Sequence, residues 1–435
     1  MASMRIYGVL FAAFFAGAFG FGVQFTRPDG ISYEGNYLYN VHVKTAEQAL
    51  RLKDIQRSFN RINSDAEFNT LTRIDVWPDH EIGLGDIMIR VPPSINSNFR
   101  SKLERKGFSF DVVSENLQEL INKEAEHNQL QDSDDFFDTY RTYEDFEAFL
   151  RNLAENYPTI ASVFHVGNSY EGRNITGIRI AGPANITRPG FFFNGGQHAR
   201  EWIAPATVAY IANKLVTQYG QDSTITPLVD GVEFFIVPLV NPDGYVYTQQ
   251  DRMWRKNRSK GRTVCYGVDT NRNWDYEWAT GGSSAISCEE TYHGPSAFSE
   301  KENTAIAQFI ADSSTIQAYI DFHSYSQVFM NPWGYTRQLP PDNAIQQQVA
   351  KAAVAKMEAT YGMTYEVGTT ANLLYIASGG SHDWVYGAAG VTYSFAAELR
   401  DTGEYGFLLP ADQIVPQGEE AWAGVAYIAQ YLLSL

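Results

Sequence analysis

The stretch Phe191-Phe192-Phe193-Asn194-Gly195-Gly196-Gln197-His198-Ala199-Arg200-Glu201 decides how this chain is read. Three successive apolar aromatics predict a strand, and Asn-Gly-Gly breaks it. His198 and Glu201, three residues apart, can close on one metal ion from a single turn of backbone. Zinc accepts imidazole nitrogen and carboxylate oxygen, and a hydrolytic site needs three protein ligands plus an open position for water. In a chain with 8 His such a pair is a weak signal by itself. A strand-end His bonded to backbone, with an exposed Glu nearby, fits the same residues.

A third ligand must come from elsewhere. His42, His80 and His127 fall in a segment argued below to be removable. His165 lies within a predicted strand and His293 in a Gly/Pro-rich loop. His323 ends the apolar run Ile316-Gln317-Ala318-Tyr319-Ile320-Asp321-Phe322. Side chains converge on a site at the carboxyl ends of strands in open α/β sheets. The plainer alternative for His323 is a satisfied core His. Glu398 ends the predicted strand 391–397 in the same manner, with a surface Glu paired to Arg400 as its alternative.

Four further motifs follow in order: Met253-Trp254-Arg255-Lys256-Asn257-Arg258, Gly267-Val268-Asp269-Thr270-Asn271-Arg272-Asn273-Trp274, His323-Ser324-Tyr325-Ser326-Gln327, and Phe395-Ala396-Ala397-Glu398-Leu399-Arg400-Asp401. Together with His-Ala-Arg-Glu-Trp they resemble the secreted zinc metallocarboxypeptidases of the pancreatic and insect-digestive type, which are made as zymogens. The resemblance covers nearly the whole chain after the first twenty or so residues. It implies one zinc ion held by His198, Glu201 and His323, with Glu398 as general base and Arg255 polarising the scissile carbonyl. Asp269 would orient a ligating His through its free ring nitrogen. Arg272 with Asn271 would take the terminal carboxylate of the substrate, which suits a planar guanidinium. Tyr375 would close over the bound end, and Arg200 would guide the carboxylate or pair within its own motif. Cys265 and Cys288, the chain's only cysteines, would form a disulfide.

By the family pattern the side-chain pocket draws on Met330, Thr370, Leu374, Ala377, Gly380, His382 and Ala396. Relatives that favour basic residues carry an acid at the place of His382, and apolar-type relatives an aliphatic residue. An A-like pocket for aromatic or aliphatic residues is expected. A polar floor that admits acidic or amide side chains is the alternative, and an unperturbed His there would titrate near ~6.5. Outside peptidases, an amidase acting on N-acyl amino acids shares the metal pattern. A non-catalytic binder is the third reading, and it predicts loss of Glu398 or of a ligand.

Length and charge agree with the leading reading. The 435 residues suggest two domains, and a net charge of −17 excludes nucleic acid and acidic membrane surfaces as natural partners. Arg5 and the apolar stretch 9–19 predict a signal peptide over 1–20, hence a secreted, extracellular protein, and no later run reaches a spanning length. Asn174, Asn185 and Asn257 begin sequons.

Residues 21–123 read strand, helix, strand, strand, helix, strand, a ferredoxin-like α+β order, then a helix from 114 to about 125. Placed before the metal motif, this unit is expected to be an inhibitory prosegment. A polar acidic linker covers 124–139, and an activating endoprotease is expected to cut after Lys123. From 140 to 435 helices and strands alternate, giving an α/β domain with a mixed central sheet flanked by helices. The expected substrate is the C-terminus of a peptide.

Overall fold

The computed structural model describes residues 30–62, 72–77, 82–130, 135–261 and 264–435. The expected signal peptide, His80 and residues 131–134 of the linker lie outside them.

The first unit carries β1 (Tyr37–Val43), α1 (Ala46–Ile62), β2 (Asp75–Trp77), β3 (Gly85–Val91), α2 (Pro93–Arg105) and β4 (Ser109–Ser114). Its sheet runs in the order β2-β3-β1-β4 with every pairing antiparallel, the ferredoxin-like arrangement. Alternation sorts β1 between two layers. Tyr39, Val41 and Val43 face a core with Leu52, Ile55, Phe99 and Leu103 of the helices. Leu38 faces the other way, into a cluster shared with Met253, Tyr325 and Phe407 of the second unit. Helix α3 (Leu117–Leu130) follows and runs five residues or so beyond its expected end.

The second unit is built on an eight-stranded sheet. It opens with α4 (Tyr143–Asn156), whose Thr142 and Asp145 form a reciprocal cap. Strands β5 (Ala161–Asn168), β6 (Asn174–Ile180) and β7 (Gly190–Gly195) lead to α5 (Ile203–Thr217) and α6 (Ile225–Gly231). Then come β8 (Glu233–Val237), α7 (Pro242–Tyr247), α8 (Lys301–Asp312), β9 (Ile316–His323) and β10 (Val328–Asn331). The remainder is α9 (Asn343–Tyr361), β11 (Glu366–Thr369), α10 (Thr370–Leu373), α11 (Ser381–Gly387), β12 (Tyr393–Glu398) and α12 (Ile414–Leu432). The sheet order is β11-β10-β12-β9-β7-β8-β6-β5, with β12, β9, β7 and β8 parallel and β10 and β6 reversed against them.

The centre of this sheet explains where the site sits. Phe191, Phe192 and Phe193 of β7 are all fully buried, which marks a strand covered on both faces. Each such ring contributes about 1.5–3 kcal/mol by leaving water. Phe191 and Phe193 meet α5 and α12 in one core, and Phe192 meets α8 and Tyr319 in the other. At the end of β7, a Cβ on Gly195 would lie 3.0 Å from the backbone of Ala204. Gly196 turns at φ +69°, which an L side chain rarely adopts. The two glycines fold the chain back over the carboxyl ends of the parallel strands. Phe136 and Phe137, placed in the linker by the sequence reading, are buried in the main core.

Candidate active site

His198 and Glu201 lie in the turn between β7 and α5, with Glu201 N donating to His198 O at 3.3 Å. His198 Nδ1 stands 2.8 Å from Glu201 Oε1. From the end of β9, His323 Nδ1 reaches Glu201 Oε2 at 3.0 Å and His198 Nδ1 at 3.1 Å. One donor atom from each of the three lies within 4.8 Å of the others, and all three residues are buried. Two imidazole nitrogens and one carboxylate oxygen so placed fit a zinc ion with ligand bonds of about 2.0–2.2 Å, and they leave one tetrahedral position without a protein donor. Burial opposes ionisation of Glu201, yet His198 and His323 beside it hold its carboxyl well below the usual range.

The far nitrogens of both imidazoles meet carboxylates. His198 Nε2 is 3.2 Å from Asp269 Oδ1, whose Oδ2 accepts from Arg255 at 2.7 Å. Asp269 also caps a short turn by accepting from Asn271 N, which ties the following residues to the site. His323 Nε2 is 2.7 Å from Asp321 Oδ2, two residues earlier on the same strand. Sequence reasoning passed over Asp321, although an i, i+2 pair on a strand shares a face.

Glu398 ends β12, in register with His323 on β9. Its Oε2 is enclosed and has no hydrogen-bond partner among the described residues. Burial pushes its carboxyl up to about 8, Glu201 adding to the effect and His323 and Arg255 opposing it.

Arg272 is buried and donates to Gly282 O, Asn271 O and, at 3.4 Å, Tyr375 Oη. No acid stands within ion-pair distance of it among the described residues. Asn271 accepts from Ser381 N, and its Nδ2 lies 3.1 Å from His323 Nε2. His382, on α11, is buried with Nε2 2.9 Å from Thr370 Oγ1 and 3.3 Å from Asp383 Oδ1. Met330 and Ala396 form a small apolar cluster with Leu374.

Arg200 is engaged with the first unit. It is fully buried, donates to Asp75 Oδ2 of β2 at 3.2 Å, and stacks 4.2 Å over Phe407. Arg252 makes a two-point ion pair with Glu124 at 2.6 and 2.8 Å. Trp77 of β2 packs edge-on against Phe407. The first unit therefore covers the ground beside Glu201 with two buried ion pairs and an apolar seam.

Cys265 and Cys288 are bonded. Asn174 and Asn185 are exposed. Asn257 is buried and donates to Glu300 and Glu302, so its sequon is closed to a glycan. No helix among the described residues is long and apolar enough to cross a membrane.

Comparisons with known proteins agree with this geometry. Residues 146–424 match the family described as zinc carboxypeptidase, and residues 39–124 match the carboxypeptidase activation peptide. The chain is 44% identical over 298 residues to carboxypeptidase B of Astacus astacus, covering 68% of this chain and 97% of that one. It is 39% identical over 371 residues to carboxypeptidase A1 of Bos taurus, covering 83% and 88%. Among solved structures, thrombin activatable fibrinolysis inhibitor aligns with a TM-score of 0.82 at 32% identity, covering 92% of this chain and 100% of that one. Carboxypeptidase A from Helicoverpa armigera aligns at 0.81 with 28% identity, covering 92% and 98%. The chain belongs to the zinc carboxypeptidase family and carries that family's activation peptide ahead of its enzyme unit.

Proposed function

We propose that this enzyme releases single residues from peptide C-termini, that it is secreted, and that it is held latent by its own prosegment. The observation that carries the exopeptidase reading is Arg272: a buried guanidinium without an acid of its own, beside the His–Glu–His group and within reach of Tyr375. A buried cation needs an anion, and a substrate's terminal carboxylate is the anion an exopeptidase must recognise.

His198, Glu201 and His323 hold the zinc in this reading. Bound there, zinc supplies Lewis acidity toward a peptide carbonyl and acidifies water. Glu398 takes the proton of the attacking water and returns it to the leaving amine, which requires a carboxyl with a raised pKa and an unengaged oxygen. Arg255 neutralises charge that develops on the carbonyl oxygen. Asp269 holds Arg255 and His198 together, so the ligand and the cation keep fixed relative positions. Arg272 and Asn271 bind the terminal carboxylate, Tyr375 closes over it, and His382 lies at the floor of an A-like pocket that favours aromatic and aliphatic side chains. Arg200 guides the carboxylate once the prosegment has left.

Latency rests on Asp75–Arg200, which holds the prosegment, and on Glu124–Arg252, which holds the first residue of the linker, across the mouth of the site. The boundaries we propose are a signal peptide at 1–20, prosegment at 21–123, linker at 124–139 and enzyme at 140–435. Lys123 is exposed but sits inside α3 beside buried Glu124, so an endoprotease cutting there must first unwind that helix.

The test is the processed enzyme on a blocked dipeptide and on an N-acyl amino acid, each with and without a zinc chelator. Release of the C-terminal residue from the dipeptide, abolished by the chelator, is expected. Preference for the acyl amino acid would place the enzyme with the amidases.

A further inference from the structure

We propose that Asp321 is a positioning residue for the metal centre: its buried carboxylate fixes His323 for zinc and contributes more to zinc affinity than Asp269 does. This rests on His198, Glu201 and His323 being the ligands.

Asp321 and His323 lie on one face of β9, and Asp321 Oδ2 is 2.7 Å from His323 Nε2, the nitrogen opposite the one that faces Glu201. Asn271 Nδ2 is near the same nitrogen, but an amide nitrogen accepts no proton, so the carboxylate is the acceptor. Accepting from Nε2–H selects the tautomer whose Nδ1 lone pair is free for metal.

The carboxylate is itself immobilised. Its Oδ1 accepts from Asn194 Nδ2 at 2.7 Å, and Oδ2 accepts from Ser381 Oγ at 2.5 Å and from Gln197 Nε2. Asn194 and Gln197 flank the glycine turn that leads into His198. One carboxylate thus braces His323 directly and the loop of the other ligand through two amides.

The two His–carboxylate pairs differ in charge. Asp269 shares its charge with Arg255. Asp321 is fully buried, and among the described residues no Lys or Arg stands within ion-pair distance. Its negative charge is therefore spent on the imidazole and the ion beyond it. Second-sphere partners of this kind change metal affinity by about 10–100-fold.

The test measures zinc binding to the full precursor by competition with a chromogenic chelator. Asp321→Asn, nearly isosteric, is expected to weaken zinc binding about 10–100-fold, and Asp269→Asn less. Ser381→Ala removes one brace, keeps the carboxylate and is expected to weaken binding by about threefold, in proportion to that smaller loss. Thermal unfolding of the zinc-free proteins reports any merely structural role, which would lower stability while zinc affinity stays unchanged. Zinc affinity within about twofold of the parent in folded Asp321→Asn overturns the proposal; if that variant does not fold, the same result in Ser381→Ala overturns it. His323→Ala with full zinc would instead sink the ligand assignment beneath it.

Discussion

Glu398 and His323 stand side by side at the carboxyl ends of neighbouring parallel strands, β12 and β9, in direct register. The pairing puts a carboxyl with an unengaged oxygen next to an imidazole whose Nδ1 faces Glu201. Two ladder positions thus juxtapose the base and the metal ligand proposed above, with no loop between them to lose the geometry.

Glu398→Gln is expected to keep zinc and lose turnover by roughly 100- to 10,000-fold, the range for removing a general acid–base group. His198→Ala and His323→Ala are expected to lose both. Elemental analysis of the purified proteins with kcat on one dipeptide checks this. Stoichiometric zinc and normal activity in His323→Ala would sink the assignment.

The pH profile follows from the same carboxyl. Glu398 works as a base only when ionised, so kcat/KM rises with pH through its pKa. Burial pushes that group up to about 8, and a zinc charge nearby favours the carboxylate and draws it down. The acid limb should therefore lie above the ordinary Glu value of about 4.3 and no higher than about 8. It should vanish from the residual activity of Glu398→Gln. A limb that persists there belongs to another group.

The prosegment is expected to loosen when the acids that tie it and the start of the linker to the enzyme are removed. Breaking a buried ion pair by deleting one partner costs about 3–5 kcal/mol, because the other charge stays buried. Glu124→Gln and Asp75→Asn precursors should therefore hydrolyse a blocked dipeptide at least about tenfold faster than the parent precursor, without being cut. If the uncut parent already matches the processed enzyme on large peptides, the inhibitory role is wrong.

What could be read from sequence, and what could not, divides on range. The strand ends that carry His323 and Glu398, and the one that leads into the turn of His198, were legible because an apolar run that stops at a polar residue is a local signal. Strands β10 and β11, four residues each, escaped because Val-Phe-Met-Asn and Glu-Val-Gly-Thr are too short to show a period. Helix α11, which carries His382, is seven residues long and was missed likewise. Helix α3 outran its expected end because its last residues are polar but compatible with helix. Nothing in the residues around Arg200 and Arg252 marks them for ion pairs with distant acids. Their acids, Asp75 and Glu124, lie more than a hundred residues away, and no local pattern announces such a pair.

Arg272→Ala should act on recognition of the free C-terminus. Losing a charge-assisted, two-point contact costs about 1.5–3 kcal/mol per bond, so kcat/KM for a free carboxylate should fall by roughly 100-fold or more. Most of the loss should appear in KM. Hydrolysis of the matching C-terminal amide, slow in the parent, should change little. An equal loss on both substrates would mean that Arg272 supports the fold of the site and not the carboxylate.

His382 is where the structure shifts the sequence-based expectation. An unperturbed imidazole would change the preferred C-terminal residue near pH ~6.5. The ring is buried, and burial pushes its pKa down, with Asp383 opposing. Nε2 is engaged by Thr370, while Nδ1 is enclosed without a partner among the described residues, and the ring's Nδ1 and Cε1 edge lies 3.7 Å from where a Cβ on Gly380 would stand. The neutral form is fully favoured above the ordinary value, so the preference should hold steady from about pH 6.5 upward, with any gain in acidic residues confined to lower pH. Phe and Leu should be released faster than Glu, and Arg slowly throughout. His382→Ile should raise Leu and Phe release modestly, since it removes an unpaired polar atom from an apolar pocket. Release of C-terminal Phe, Leu, Glu and Arg across pH 5–9, in the processed parent and in His382→Ile, decides it. Glu release that climbs between pH 8 and pH 7 and flattens in His382→Ile would show a ring that titrates there, and rapid Arg release would overturn the apolar pocket.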